Sequence, residues 1–259
     1  LNTITPPSDL ASQNFGWSHK ISEPGADSVR TTATKYLFVG APGFADGGQS
    51  NEGRVYMYEW SIGSDGSTYD SWVQNLTISS NDPASEKRFG HAIAANDNGD
   101  ILAVSSKAPG SAGMVEIFRR TSQSNDDSVE HSFTYIQTLV GTASDGSTLN
   151  TNFGDTLAMS KDGTTLIIGD PGFDNGNQAD AGVVYHYKWD ADGDSTLSYS
   201  LQQTINAPTT NTNLKFGSSL DINDSGNRIV IGAENFGNSR DMRFDSGETT
   251  FDLQDTQFV

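Results

Sequence analysis

The 259 residues carry 33 acidic against 15 basic side chains, a net charge of −18, and no cysteine. So acidic a chain repels nucleic-acid phosphates and anionic membranes, which argues against a nucleic-acid partner; without cysteine there is no disulfide scaffold, thiolate chemistry or cysteine-ligated zinc. No run of about 18 apolar residues is present, so no membrane insertion is expected.

The hydrophobic share is 34%, and 27 glycines bring the apolar content near the ordinary globular range of roughly 45–50%. Ser, Thr, Asn and Asp dominate the polar residues and favour turns over helix interiors, and no stretch reads as a long helix. The chain begins at Leu1 with no visible signal peptide, which is expected of a processed chain or of part of a longer polypeptide.

A Phe-Gly pair recurs at Phe15-Gly16, Phe89-Gly90, Phe153-Gly154 and Phe216-Gly217, spaced by 74, 64 and 63 residues. It divides the chain into units 15–88, 89–152, 153–215 and a partial 216–259. In the first unit an apolar strand, Tyr36 to Gly40, is broken by Ala41-Pro42-Gly43. Gly53 to Tyr58 and Trp72 to Leu76 follow as strands. In the second, Phe89 to Ala95 reads as a strand and Asn96 to Asp100 as a tight turn, with Asn-Gly a strong hairpin signal. Ile101 to Val104, the break Ala108-Pro109-Gly110, Gly113 to Phe118 and Phe133 to Leu139 complete the unit. The third repeats the order: Phe153 to Met159, a turn at Lys161-Asp162-Gly163, Leu166 to Gly169, a break at Asp170-Pro171-Gly172, Gly182 to Tyr187, and Tyr199 to Ile205. In the fourth strands Gln74, Gln137 and Gln203 each stand two residues before Leu76, Leu139 or Ile205, which suggests a shared register. The fourth unit opens with Phe216-Gly217 and Ile229 to Gly232, then turns polar from Glu234 to Gln257 with no clear third strand.

The second strand of each unit is nearly continuous in apolar residues, which marks burial on both faces. The first sets large residues against small ones, so a neighbouring sheet can approach closely. Burial is expected to fall from the first two strands toward the fourth. Sheets packed radially around an axis give this pattern, so the fold class is all-β, a β-propeller of four-stranded antiparallel blades. The unit-opening Phe is expected to plug the space between blades. The chain forms one propeller domain or a fragment of one, 1–259. Three whole units fall short of the 4–8 blades that close a ring, so further blades are expected from unseen sequence or another subunit.

Phe-Gly, an apolar strand ending in Val-Gly-Ala-Pro and then Gly-x-Val-Tyr resemble the FG-GAP repeat of integrin α-subunit propellers. Residues 36–43 carry the match most closely, with Lys107-Ala108-Pro109 and Gly169-Asp170-Pro171 as the second and third instances. The resemblance implies a ring of about seven blades used for adhesion or ligand display, similar to repeats of secreted bacterial proteins and of marine tailed-phage structural proteins. It implies a non-catalytic structural or adhesive protein, outside the cell or on a virion surface. Its partners would be other subunits of an assembly or a cell-surface protein or glycan. The alternative is a secreted carbohydrate-binding module or a polysaccharide-acting enzyme on a propeller scaffold. Family members often carry an Asp-x-Asp-x-Asp-Gly calcium loop between the first two strands. The turns here, Asn96 to Asp100, Ser160 to Gly163 and Asn223 to Gly226, lack that full ligand set.

No cofactor is required by the sequence. Calcium could be held at Asp190, Asp192 and Asp194, three carboxylates at alternate positions around a glycine turn, though calcium takes 6–8 oxygens and no downstream Glu is in register; a solvated hairpin tip is the competing reading. The histidines His19, His91, His131 and His186 are dispersed, without metal-ligand spacing. There is no Gly-x-Ser-x-Gly elbow, and no catalytic residue stands out among the 33 acidic ones. Aromatic residues recur in the third strands at Tyr56, Tyr58, Trp60, Tyr185, Tyr187 and Trp189. They read as cross-strand packing in preference to a binding stripe.

Overall fold

The structure is a computed structural model. It describes residues 4, 13–23, 35–46, 48–61, 71–110, 112–125, 128–141, 152–190, 198–208, 211–235 and 240–243. Among these there is no helix, and fifteen strands follow one another. The first sheet is β1 (Ser18–Ser22), β2 (Tyr36–Ala41), β3 (Arg54–Ser61) and β4 (Ser71–Ile78). The second is β5 (Ile93–Ala95), β6 (Ile101–Ser106), β7 (Met114–Asn125) and β8 (Ser128–Val140). The third is β9 (Thr156–Met159), β10 (Thr165–Asp170), β11 (Val183–Asp190) and β12 (Ser198–Asn206), and the last is β13 (Phe216–Ile222), β14 (Arg228–Ala233) and β15 (Arg240–Arg243). Each sheet keeps chain order from strand to strand, and the registered pairs are antiparallel. These are the blades of a β-propeller. The chain divides into two compact units, residues 1–106 with 116–135, and residues 107–115 with 136–259.

The second strands are the most deeply buried, β2 and β10 at every residue. β2 and β10 have a partner strand on both edges and are covered on both faces, so only apolar side chains are free of a desolvation cost there, whereas β14 leaves Arg228 and Val230 exposed. The outer strands β4 and β12 mix exposed and covered positions. The first strand departs from expectation. β1 is only partly covered, although β5 is buried throughout.

The unit-opening phenylalanines fill the core. Phe89 and Phe153 are wholly enclosed and Phe216 nearly so. In the first compact unit Phe89 sits with Phe38, Met57, Leu102 and Val104 and meets the Phe118 ring at 5.8 Å. In the second, Phe216 sits with Ile167, Val184, Ile229 and Ile231. Phe89 and Phe153 precede their strands and do not begin them, because Gly90 and Gly154 turn the backbone at φ 91° and 81°. That turn lays the Phe backbone beside the preceding repeat, in parallel bridges from Gly53 to Phe89 and from Gly182 to Phe216. A Cβ on Gly182 would stand 2.2 Å from the Phe216 carbonyl oxygen, and one on Gly53 equally close to the Phe89 carbonyl oxygen. Only glycine permits this approach, and its φ of +81° at Gly182 also favours glycine.

Two register expectations change. Val55 faces Ile78 and Val184 faces Ile205, so Ile78, and not Leu76, is the counterpart of Ile205. The Gln spacing in the fourth strands is therefore not a shared register. In the second repeat, Gly90 donates to the Ser105 carbonyl just as Gly16 does to Gly40 and Gly154 to Gly169. Ser105 thus takes the glycine's place, and Lys107-Ala108-Pro109 lies two residues beyond it. The fourth repeat has a third strand, β15, inside the polar stretch where none was expected.

Truncating Phe153 to Ala should cost about 3–5 kcal/mol of stability through the cavity left. Gly182→Ala should also destabilise, by at least the roughly 1–2 kcal/mol of forcing a left-handed alanine. Denaturant unfolding monitored by tryptophan fluorescence measures both; unchanged midpoints would show that the repeats are not held together at these contacts.

Candidate functional site

The residue that follows each Phe-Gly pair is Trp17, His91, Asp155 or Ser218. The backbone of Phe and Gly does the packing, so this third position is left to face outward. In the first unit Trp17, more than half exposed, lies against His91 with ring centroids 5.7 Å apart. In the second compact unit Asp155 and Ser218 line a polar cleft of about 570 Å³ together with Lys107, Asn152, Asp180, Lys215 and Glu234.

Two lysines and their carboxylate partners define this cleft. The Lys107 ammonium donates to Asp155 in a short ion pair, both side chains about a quarter exposed at 28% and 27%. Lys215 pairs with Glu234 at 3.1 Å in a more open setting. Pro171 and Gly172 form one wall, and a Cβ on Gly172 would collide with the Asn152 amide.

Behind that wall lies Asp170, the last residue of β10, with 0% exposure. Neither carboxylate oxygen has a hydrogen-bond partner of regular geometry. Burial, helped by the Asp155 charge and opposed by the backbone amides of Asn152 and Gly172 and by Lys107, pushes its carboxyl up to about 7. A carboxyl near neutrality beside a lysine–carboxylate pair is the kind of arrangement that acid–base chemistry uses. On the neighbouring strand, His186 is wholly buried in β11, where the first repeat has Met57 at the equivalent place, and burial with the Lys188 charge lowers its pKa to about 4.

Of the acidic triplet Asp190, Asp192 and Asp194, only the first has a described backbone. Asp190 ends β11, and Asp192 and Asp194 lie outside the described residues. Among the described residues no group of three or more His, Asp or Glu side chains is arranged to hold a metal. The hairpin turns use their oxygens internally. Asn96 Oδ1 accepts from the amides of Asp100 and Ile101, Asn223 Oδ1 from those of Asn227 and Arg228, and Asp162 accepts from Ser160 and Thr164. The histidines stay apart. His19 is exposed on β1, and His131 is enclosed between Arg120 and Glu59. The third-strand aromatics pack within their sheets, Trp60 on Trp72 at 5.1 Å and Trp189 on Tyr199 at 4.9 Å.

Sequence reasoning passed over Lys107, Asp155 and Asp170. The available signal was a charge in a slot that other repeats fill with a small or aromatic residue: Asp170 where β2 ends in Ala41, β6 in Ser106 and β14 in Ala233.

No protein-family model matches the chain, and no curated protein matches it either. Solved structures do. A protein from Lactobacillus plantarum is similar at a TM-score of 0.51 and 15% identity, over 85% of this chain and 51% of that one. The periplasmic gluconolactonase of Pseudomonas aeruginosa is similar at 0.54 and 16%, over 86% of this chain and 54% of that one. A protein of Bacteroides fragilis, described as a proposed 6-phosphogluconolactonase, reaches 0.47 and 12%, over 89% and 56%. The chain spans about half the length of each of these. At such identities the likeness shows the fold, a β-propeller.

These findings correct the reading as an integrin-like FG-GAP repeat. No family model supports it, the similar structures are a protein from Lactobacillus plantarum and a gluconolactonase, and the recurring Phe and Gly have a packing explanation of their own. The non-catalytic structural or adhesive role, the phage-tail setting and the expectation that the chain is not an enzyme are corrected with it, since a similar structure named by its activity is a gluconolactonase. The alternative, an enzyme on a propeller scaffold, fits better.

Asp170 and His186 should impose opposite pH dependences on stability. Asp170 binds its proton more tightly folded than unfolded, so stability falls as pH rises from 3.8 to about 7, by roughly 4 kcal/mol. His186 binds its proton less tightly folded, so stability falls as pH drops from 6.5 to about 4, by roughly 3 kcal/mol. Thermal melts should show Asp170→Asn gaining on the parent more at pH 8 than at pH 4, and His186→Gln doing the reverse. Offsets independent of pH would mean that neither group titrates inside the fold.

Proposed function

We propose that the chain contributes to a hydrolase that opens a small hydroxylated lactone in the cleft around Lys107 and Asp155. The observation that carries this reading is a partly exposed lysine–carboxylate pair lining a polar cleft with a protonatable buried carboxyl, Asp170, behind it. The fold likeness to a protein named as a gluconolactonase supports it.

In the proposed reaction Asp155 takes a proton from water as the water oxygen bonds to the lactone carbonyl carbon. Lys107 stabilises the negative charge that develops on the carbonyl oxygen, the term that usually dominates acyl transfer. The ring carbon–oxygen bond then breaks, and the proton returns from Asp155 to the departing ring oxygen, giving a hydroxy acid. Lys215, Ser218, Ser219 and Asn152 offer donors for substrate hydroxyls. A net charge of −18 tolerates the neutral lactone and disfavours the anionic product, which aids release.

The full chain should accelerate the opening of glucono-δ-lactone above its spontaneous rate, followed by proton release at constant pH near 6. Asp155→Asn and Lys107→Met should each lower kcat by about 100-fold. A parent rate equal to the spontaneous one, or variants as active as the parent, would overturn the reading.

A further inference from the structure

We propose that the chain associates head to tail with a second copy of itself, the Phe15-Gly16 pair of each copy seating on Ser219, Val230 and Gly232 of the other. The proposal does not depend on the hydrolase reading.

The contact between consecutive repeats has a receiving half and a giving half. On the receiving side a hydroxyl residue faces a glycine across the first two strands, Ser18 opposite Gly40 and Thr156 opposite Gly169. The giving side is the Phe-Gly pair of the next repeat. Its glycine carbonyl accepts from that hydroxyl, Gly90 from Ser18 at 2.7 Å and Gly217 from Thr156 at 2.6 Å. Two residues before each receiving glycine, Phe38 and Ile167 are wholly buried in the clusters that hold Phe89 and Phe216.

The fourth repeat carries the receiving half. Ser219 stands opposite Gly232, and a Cβ on Gly232 would meet Ser219 Oγ at 2.1 Å, as one on Gly40 would meet Ser18 Oγ at 2.2 Å. Around Gly232 the three nearest atoms all belong to Ser219, whereas a neighbouring repeat's carbonyl oxygen stands 2.3 Å from a Cβ on Gly40. Ser219 is exposed, and Val230, two residues before the glycine, is 42% exposed where Phe38 and Ile167 are 0%. The first repeat carries the giving half. Asn14 and Gly16 have φ of 54° and 86°, against 57° and 91° for Arg88 and Gly90, so the backbone has the docked shape. Yet Gly16 is exposed where Gly90 and Gly217 are buried, and among the described residues nothing lies within 4 Å of a Cβ placed on it.

One chain thus offers both halves of a contact it makes elsewhere, hydroxyl for carbonyl and Val230 for Phe15. A head-to-tail contact closes when its rotation returns to the start. The chain spans about half the length of the structures it resembles, and two chains of four sheets each fall within the 4–8 blades of a closed propeller. Neighbouring repeats bring their third positions together, as Trp17 and His91 show, so the partner's Trp17 arrives beside Ser218 at the cleft. Ser219 then donates to the second copy and presents only its oxygen to the cleft, where Lys215, Ser218 and Asn152 remain the donors.

The test is sedimentation velocity of the full chain across a wide concentration range, at physiological salt, where repulsion between two chains of charge −18 is screened. The chain should sediment as a pair. Val230→Lys puts a charge in the seat of Phe15 and should weaken association at least about 100-fold, while Asp221 across the strand pair accommodates the lysine in the fold. Ser219→Ala should weaken it roughly 10–30-fold, one hydrogen bond being lost at each of two contacts. That exposed position keeps the test open if the lysine variant folds poorly. Cross-linking reads the direction. The chain has no cysteine, so Trp17→Cys and Ser218→Cys introduce the only thiols. An equimolar mixture of the two single variants should give a covalent pair with a short bis-maleimide, and neither variant alone should. A chain that is monomeric at every concentration, a larger open assembly, a mixture that does not cross-link, or association unchanged by both Val230→Lys and Ser219→Ala overturns the inference. Lactone turnover plays no part in these outcomes, so the hydrolase reading stands or falls separately.

Discussion

A glycine at the head of β3, β7 and β11 lies backbone to backbone against the phenylalanine that opens the next repeat. Gly53 meets Phe89, Gly113 meets Phe153 and Gly182 meets Phe216, each so closely that a Cβ would fall within 2.2 Å of main-chain atoms. The rest of the architecture follows from that approach. It fixes where one sheet ends and the next begins and drives the Phe ring into the core. It also brings Gly40 against Gly90 and Gly169 against Gly217, where Ser18 and Thr156 hydroxyls donate to the glycine carbonyls. An apolar ring and a hydrogen-bonded backbone thus act at the same place, and fully burying one such ring is worth roughly 1.5–3 kcal/mol.

This contact explains what the sequence could and could not tell. The second strands were legible because continuous apolar runs such as Leu166 to Ile168 have few alternatives to burial on both faces. The repeat was legible because Phe and Gly are each required by a fixed geometry. The same requirement made the motif look like the signature of one adhesive family, although packing alone accounts for it. Fourth-strand registers were not legible, because a bulge between Met57 and Tyr58, and another between His186 and Tyr187, shifts the count of residues across each pair. β15 was hidden by its polar composition, Arg-Asp-Met-Arg.

The site was harder to read than the fold. Lys107 and Asp155 lie 48 positions apart and in different repeats, so no local spacing announces them. Asp170 is conspicuous only after the strand ends are superposed and its counterparts prove to be Ala41, Ser106 and Ala233. The acidic triplet at 190–194 drew attention through spacing alone, while the cleft draws on residues from separate connections. Electrostatics that depend on burial, as at Asp170 and His186, have no sequence signature, because the same residue types on the surface would titrate normally.

The outward position after each Phe-Gly pair carries a further meaning. Trp17, His91, Asp155 and Ser218 differ in size, charge and polarity, yet each sits on the same backbone frame. Copying a repeat copies the frame, while the side chain at this position can drift without disturbing the contact beside it. Shape and chemistry are then inherited separately, and a new activity can begin with one altered residue in a duplicated blade.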